Sequence, residues 1–235
     1  MCFAGFCALI RLLKKGTSMA DIFDLFRKIS SESSNVPGPV THLIVGLGNP
    51  GDKYFHTRHN AGFLTLDYVE QKMGIRINTS KFHALVGEGT LCGKHVMLLK
   101  PQTFMNASGE AVREAANFYH ISPDHIIVVS DDINLDVGRL RVREKGSDGG
   151  QRGLRSIIEQ LGSDQFPRVK IGVGKKPHPD MELADWVLSE FRKEEQTALF
   201  AAIEVAYTGI CKLLAEDIDG AKQACNGFAP VKSEK

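Results

Sequence analysis

Short apolar runs alternate with segments of helical periodicity along most of the chain. The run at residues 42–47 has the length of a buried strand, and the apolar residues at 61–73 recur every three or four positions, as on one face of a helix. The alternation continues to about residue 215. It predicts an α/β fold, a single domain in which a central mixed, twisted β-sheet is flanked by helices.

The predicted elements follow from these periods and from the turn residues between them. Two apolar runs that follow each other closely predict a hairpin, and Ser108 is placed to cap the helix after it. The expected strands are 42–47, 84–90, 95–99, 125–130, 139–143 and 168–174; the expected helices are 61–73, 109–119, 153–161 and a tail from about 181 to 215.

The first forty residues differ from the rest. Residues 30–40 (SSESSNVPGPV) are rich in Ser, Pro and Gly and have no apolar period, which is typical of a linker. We therefore predict an N-terminal extension and linker over residues 1–40 and the folded domain over residues 41–235. The extension is either an organellar targeting arm, since its first acidic residue is Asp21, or a segment upstream of a true start at Met19.

The apolar opening of that extension, residues 1–13, is interrupted by Arg11 and followed by Lys14 and Lys15. It is too short for a transmembrane helix, and its charges stand in the reverse of the order in a secretory signal. We expect no membrane partner.

Composition excludes several classes of protein. Hydrophobic residues make up 43% and charged residues 24% of the 235 positions, close to the average of globular domains, which excludes a disordered or collagen-like chain. The cysteines are scattered, without a C-x-x-C pair, and suggest neither a disulfide framework nor a zinc site. A reducing compartment, the cytoplasm, fits this pattern best. The cysteines are Cys2, Cys7, Cys92, Cys211 and Cys225.

A glycine-rich turn follows the first predicted strand. The segment 46–51 (GLGNPG) matches the dinucleotide fingerprint G-x-G-x-x-G. In that fingerprint the helix begins within the motif and meets the pyrophosphate, whereas here a polar stretch through Asn60 delays it. The acid that should hold the ribose would be Asp67, which lies inside a helical pattern. A nicotinamide enzyme is therefore disfavoured, and we expect no cofactor.

The loop that follows carries a candidate general base. His59, in the segment 57–60 (TRHN), follows a strand at its carboxyl end, where open α/β sheets place their sites. Asp131 ends another central strand, so it is expected to accept the ring N–H of His59 and to stabilise the imidazolium. Two alternatives stay open. Residues 130–136 also suit a turn, and His56, His59 and Asp131 could hold a metal, which we rank lower for want of a further His or Glu ligand.

Asn106 lies where a strand passes into a helix, in the segment 101–109 (PQTFMNASG). A neutral amide there supplies a donor and an acceptor for a peptide group or an ester oxygen. The alternative is that Asn106 only caps the helix.

The charge distribution is uneven although the net charge is +1. Between residues 139 and 176, ten basic residues face four acidic ones, a net charge of +6. Period-two spacing places Arg141 with Arg143, and Arg168 with Lys170, on strand faces. Like charges on neighbouring elements repel unless an anion binds, and a phosphate backbone is such an anion.

Together these motifs resemble the bacterial-type peptidyl-tRNA hydrolase family: G-L-G-N-P-G, Y-x-x-T-R-H-N-A-G, M-N-x-S-G and the strand near Gly172 occur in the family's order from about residue 42 to about residue 215. The resemblance implies a monomeric, cofactor-free and metal-free esterase that cleaves peptidyl-tRNA and recycles tRNA from stalled translation. It implies that His59 is the general base and Asp131 its partner. It further implies substrate contacts for Asn49, Tyr54, Phe104 and Asn106. Arg141, Arg143, Lys145, Arg168 and Lys170 are the expected tRNA phosphate contacts.

The sequence departs from the family pattern at three places. Gln151 and Arg152 replace the His and Asn of G-G-H-N-G, Ser130 replaces a His before the aspartate, and Asn134 replaces an Asp. Arg152 is expected to contact the substrate as a planar donor fork for phosphate. The alternative from another class is a relative that binds RNA without catalysis.

Overall fold

A computed structural model describes residues 38–230, and those from Pro39 onward belong to one compact unit. The predicted extension over residues 1–40 lies almost entirely outside the described residues. The described part contains a seven-stranded sheet in the spatial order β2-β3-β4-β1-β5-β7-β6. Its strands are β1 (His42–Gly46), β2 (Thr79–Lys81), β3 (Ala84–Leu91), β4 (Lys94–Pro101), β5 (Ile126–Asp132), β6 (Leu140–Arg143) and β7 (Arg168–Gly172).

The sheet is mixed, as predicted. β1 is parallel to both β4 and β5, and β5 is parallel to β7. The β2-β3-β4 side and the β6 edge are antiparallel. The carboxyl ends of β1, β4 and β5 therefore meet at one edge, where the loops after these strands converge.

Helices cover both faces of this sheet. On one face lie α1 (Ala61–Met73), α5 (Lys193–Leu214) and α6 (Ile218–Asn226), and on the other lie α2 (Ser108–Tyr119) and α3 (Arg152–Leu161). The short helix α4 (Leu183–Val187) lies beside the loop after β1. Neighbouring residues of a central strand, such as Ile44 and Val45, enter the two opposite apolar clusters. Burial on both faces explains why these strands are continuous apolar runs.

The glycine-rich turn brings α1 close to β1. A Cβ on Gly46 would lie 2.5 Å from the carbonyl oxygen of Gly62, and a Cβ on Gly62 would lie 2.4 Å from Leu47 N. The helix begins only at Ala61. Gly46 is therefore needed for close packing of the helix on the strand. Glycines of the dinucleotide fingerprint serve the same purpose, which explains why the two motifs look alike.

Two local predictions are wrong, and one short strand was missed. The tail is not one helix, because residues 188–192 separate α4 from α5, and α6 follows beyond residue 215. Ser108 is the first residue of α2 and its Oγ donates to Met105 O, so neither it nor Asn106 is the side-chain cap. The short edge strand β2 was not expected, since three residues carry too little periodicity to be seen.

The cysteine prediction is also wrong for one pair. Cys92 and Cys211 are joined by a disulfide with a Cα–Cα distance of 5.5 Å, although 119 residues separate them in the sequence. The spacing of the cysteines in the sequence does not indicate this pair, because only the folded chain brings the two residues together.

Within the described residues, α5 is the one helix whose length and apolar composition would allow it to cross a membrane. Its buried residues recur every three or four positions and join the apolar cluster beneath the sheet, so this apolar stripe is part of the core. They include Leu199, Ala202, Ile203, Ala206, Ile210 and Leu213.

Candidate active site

Two asparagines fix the loop after β1. Asn60 Oδ1 accepts a hydrogen bond from Asn49 N at 2.8 Å, and Asn60 Nδ2 donates to Asn49 O at 3.0 Å. Asn49 Oδ1 accepts from Met105 N at 2.9 Å, which ties this loop to the one after β4. Within residues 38–230, Asn49 Nδ2 has no hydrogen-bond partner. It is therefore a donor that no group of the described residues uses.

The predicted pair of His59 and Asp131 is formed. His59 Nδ1 lies 2.9 Å from Asp131 Oδ2, so that Nδ1–H donates to the carboxylate and Nε2 carries the lone pair of the neutral ring. Asp131 is buried, whereas the His59 side chain keeps 13% of its surface exposed. His59 therefore has a fixed tautomer and keeps some access to water, as a general base requires.

Gln151 completes this arrangement and was not predicted as a site residue. Its Nε2 donates to Asp131 Oδ1 at 3.0 Å, and its Oε1 accepts from Leu154 N at 2.8 Å, which caps α3. Each carboxylate oxygen of Asp131 thus has one donor. The departure from the family motif at this position was the available signal.

Burial opposes the charging of His59, but the charge of Asp131 and its hydrogen bond outweigh this effect and raise the pKa of His59 above its ordinary value. The positive charge of Arg152 acts in the opposite direction and lowers that pKa. A general base with a pKa near the working pH combines correct protonation with driving force.

The neighbouring carboxylate has a different role. Asp132 Oδ1 accepts from Asn134 N at 2.8 Å, and Asp132 Oδ2 lies 3.1 Å from Lys170 Nζ. The turn that we kept as an alternative is therefore present at Asp132, next to the pair formed by Asp131.

A cavity of about 280 Å³ opens above His59 and Asp131. Asn49, Phe104, Asn106 and Arg152 line it, as does Lys170. Tyr54 does not line this cavity; the Nζ of Lys53 lies 4.7 Å from its ring centroid. One wall is apolar and is formed by Ile133, Leu183, Ala184, Val187 and Leu188.

The apolar wall is attached by Arg58 to the loop that carries His59. Its guanidinium is buried, donates to Val173 O at 2.8 Å and to the Glu195 carboxylate at 2.6 Å, and lies 3.9 Å from the ring centroid of Trp186. Its backbone N–H donates to Ser189 O at 3.0 Å. The residue before His59 is therefore bound to both α4 and the start of α5.

The basic residues that were expected to contact the tRNA differ in their exposure to solvent. Arg141, Arg143 and Lys145 are exposed, as is Arg152; we call these four residues the basic strip. Cross-strand pairing of Arg141 with Lys170 and of Arg143 with Arg168 places these side chains on the α2–α3 face.

The expectation that Arg168 contacts a phosphate is wrong. It is 1% exposed, and its three nitrogens donate to the carbonyl oxygens of Gly146, Ser147, Asp164 and Phe166. All donors are used within the protein, so Arg168 holds the loop before α3.

The metal alternative gains no support in residues 38–230, where no group of three or more His, Cys, Asp or Glu side chains is placed to hold an ion. His56 is exposed in the loop, away from the cavity lining.

Comparison with known proteins places this geometry in a family. A family model described as peptidyl-tRNA hydrolase matches residues 43–234. The chain is 51% identical over 191 residues to a peptidyl-tRNA hydrolase of Clostridium botulinum, covering 81% of this chain and 98% of that protein. It is 50% identical over 190 residues to one of Caldicellulosiruptor bescii, covering 81% and 99%.

Solved structures agree with the sequence comparison. The crystal structure of peptidyl-tRNA hydrolase from Acinetobacter baumannii superposes with a TM-score of 0.77 at 35% identity, covering 81% of this chain and 97% of that one. A complex of peptidyl-tRNA hydrolase with N-propanol matches with the same score, identity and coverage.

Proposed function

Because the chain belongs to the peptidyl-tRNA hydrolase family, we propose that it hydrolyses the ester bond between peptide and tRNA in peptidyl-tRNA and so recycles tRNA from stalled or aborted translation. The observation that carries this proposal is the His59–Asp131 pair, 2.9 Å apart, beneath a cavity with an apolar wall and a basic rim.

The reaction begins with a water hydrogen-bonded to His59 Nε2. As its oxygen attacks the ester carbonyl carbon, His59 takes one proton, and the nearby charge of Asp131 stabilises the imidazolium. The tetrahedral intermediate collapses when the ester bond to the ribose breaks. His59 then returns the proton to the ribose oxygen, and the peptide leaves as a carboxylic acid, which loses the remaining proton of the attacking water to solvent.

The developing oxyanion needs donors. Asn49 Nδ2 and the amide of Asn106 are the neutral donors that line the cavity. Neutral amides suit a substrate whose peptide nitrogen is acylated, whereas the ammonium of an aminoacyl-tRNA would leave these groups mispaired. Loss of one such donor typically costs about 2.7 to 4 kcal/mol in the transition state.

Phosphates of the tRNA are the proposed ligands of the exposed cations. Arg152 and Lys170 lie at the cavity, and Arg141, Arg143 and Lys145 continue from it along the same face. The Arg152 guanidinium offers a bidentate fork to phosphate.

The decisive measurement is release of peptide from an N-acylated aminoacyl-tRNA by wild type and by His59→Ala, without added metal. We expect a fall of about 10² to 10⁴ in rate for His59→Ala and an unchanged rate for His56→Ala, the matched histidine in the same loop. Tight tRNA binding without cleavage by wild type would refute the hydrolase and leave the RNA-binding alternative.

We also propose that the protein acts as a monomer in the cytoplasm. In support, Phe118 and Phe200, two of the seven large apolar side chains that are exposed within residues 38–230, lie on α2 and α5, on opposite faces of the sheet, and so belong to different patches. Sedimentation at micromolar concentration tests the monomer, and a dimer mass would contradict it. Fractionation of cells tests the compartment.

A further inference from the structure

Two cysteines meet at the end of the sheet that is opposite the cavity. Cys92 is exposed in the tight turn between β3 and β4, and Cys211 is half-buried near the end of α5. Their Cα atoms are 5.5 Å apart, within the usual range for a disulfide. The bond connects a hairpin to a helix 119 residues later.

Packing holds these two elements together independently of the sulfur atoms. Leu91 and Leu214 are fully buried in the same apolar cluster. The Nζ of Lys94 lies 3.6 Å from the carboxylate of Glu216, so an ion pair also bridges the start of β4 and the residues after α5. The cysteines therefore stay within reach of each other when they are reduced.

Cys225 provides a contrast inside the same molecule. It is fully buried in α6, and burial raises the pKa of its thiol to about 11. A thiol that is neither exposed nor ionised reacts slowly with oxidants. Reactivity is thus expected at Cys92, which is open to solvent.

We propose that Cys92 and Cys211 form a reversible thiol–disulfide site, oxidised by hydrogen peroxide and reduced by a dithiol, that sets the stability of the fold without altering its active site. One thiolate attacks a peroxide oxygen and breaks the O–O bond, which gives a sulfenic acid and the first water. The second thiolate attacks the sulfenic sulfur and releases the second water. Two thiols and one peroxide thus give one disulfide and two waters, with two electrons passing from sulfur to oxygen.

The site is separated from the catalytic centre by the length of the sheet. Cys92 precedes the amino end of β4, whereas Phe104 and Asn106 follow its carboxyl end. Eight residues of extended strand span about 26 Å. A link at the far edge constrains the unfolded chain through a long loop and leaves the cavity untouched.

The test compares full-length protein treated with a dithiol and with one equivalent of hydrogen peroxide. Peptide mapping after alkylation identifies the linked cysteines, and thermal unfolding measures the effect. We expect a Cys92–Cys211 peptide pair in the oxidised sample and a midpoint about 5–15 °C higher than in the reduced one. The difference should vanish in Cys92→Ser and in Cys211→Ser.

Two controls isolate the pair. Cys225→Ala and the double variant Cys2→Ser/Cys7→Ser should keep the redox-dependent shift, whatever their own midpoints. Peptidyl-tRNA hydrolysis at 25 °C should agree within about twofold between the two redox states; protein without hydrolase activity would still report the shift. Failure to find the linked peptides, equal midpoints, persistence of the shift in Cys92→Ser, or a larger change in activity would each overturn the proposal.

Discussion

The behaviour of His59 is set by neighbours with opposing effects. Burial disfavours its charged form, Asp131 favours it, and Arg152 disfavours it, with a net rise in the pKa of His59. A protonated imidazole cannot take a proton from water, so activity falls as the pH falls through this pKa. The acid limb of kcat/KM is therefore expected above the ordinary pKa of histidine.

Removing the charge of Asp131 should move that limb. In Asp131→Asn the pKa of His59 falls, so the acid limb shifts to lower pH, while kcat drops by about 10²-fold or more because the imidazolium loses its stabilising charge. Rate profiles from pH 4.5 to 9 measure both effects. Asp136→Asn removes an exposed carboxylate of the same segment and should leave the profile in place; an unmoved limb in Asp131→Asn would contradict our assignment of the base.

Gln151 is expected to be a positioning residue for Asp131. Gln151→Leu leaves Asp131 Oδ1 without its donor, and a hydrogen bond to a charged group contributes about 1.5 to 3 kcal/mol. We expect kcat to fall about tenfold with little change in KM, and Gln151→His, which restores the family's residue, to recover most of it.

Helix capping must be separated from this effect, because Gln151 also caps α3. Asp217→Ala removes the comparable side-chain cap of α6, where Asp217 Oδ1 accepts from Gly220 N at 2.8 Å. Both variants should lower the unfolding midpoint, since loss of a cap costs about 1 kcal/mol. Equal kinetic losses in both would show that Gln151 acts only on stability.

Among the individual residues of the site, the sequence revealed those whose chemistry is distinctive. His59 and Asp131 follow strands and carry groups suited to acid–base work, so they could be found. Gln151, Asn60 and Arg58 act by holding other residues, and their side-chain partners lie up to 137 positions away. No local pattern marks such contacts.

Among the elements, α4 and the start of α5 form a unit with the loop that carries His59. Leu183 and Val187 line the cavity, while Trp186 and Phe191 are buried around Arg58. These four apolar residues recur at helical spacing, yet Trp186 and Phe191 pack in the core whereas Leu183 and Val187 line the cavity. Periodicity identifies an apolar face but not whether it closes a core or a cavity.

Breaking the ion pair under this wall should disturb binding and catalysis together. Glu195→Gln leaves the buried Arg58 guanidinium without its counter-charge. We expect the free energy of unfolding to fall by about 2 kcal/mol. This loss is smaller than the loss on breaking a fully buried ion pair, because Glu195 is 20% exposed. A small displacement of His59 and of the apolar wall should lower kcat/KM about tenfold.

Steady-state kinetics well below the unfolding midpoint, with calorimetry alongside, test this expectation. Glu194→Gln alters the exposed neighbour in the same turn of α5 and is the matched control. Stability lost in Glu195→Gln with unchanged kinetics would mean that Arg58 supports the fold and not the site.

Across the whole molecule, the alternation of strand residues predicted the face of each arginine correctly but not its exposure. Arg143 and Arg168 are neighbours across β6 and β7. One is exposed at the edge of the sheet, whereas the other is covered by the loop before α3. Strand order and loop packing decide this difference, and neither is visible in a period of two. The architecture itself was predictable, because apolar runs and helical periods are repeated along the whole domain.

The basic strip should govern how salt affects tRNA binding. Each lost phosphate contact lowers the slope of log K against log salt by about 0.7 to 0.9. The variant Arg141→Gln/Arg143→Gln/Lys145→Gln should therefore flatten this slope by about two and raise KM for full-length peptidyl-tRNA. Arg152→Asn alone should flatten it by about one and, because a positive charge near His59 is removed, shift the acid limb of kcat/KM to higher pH.

A control with the same change in net charge separates contact from long-range attraction. Lys72, Arg76 and Lys212 are exposed on or beside α1 and α5, on the other face of the sheet. Changing these three to Gln should leave the slope nearly unaltered, because exposed charges beyond about 10 Å are screened at 0.1 M salt. A short substrate that keeps only the esterified 3′ end should be cleaved equally by wild type and by the strip variant. If the two triple variants flatten the slope alike, the tRNA does not lie along the basic strip.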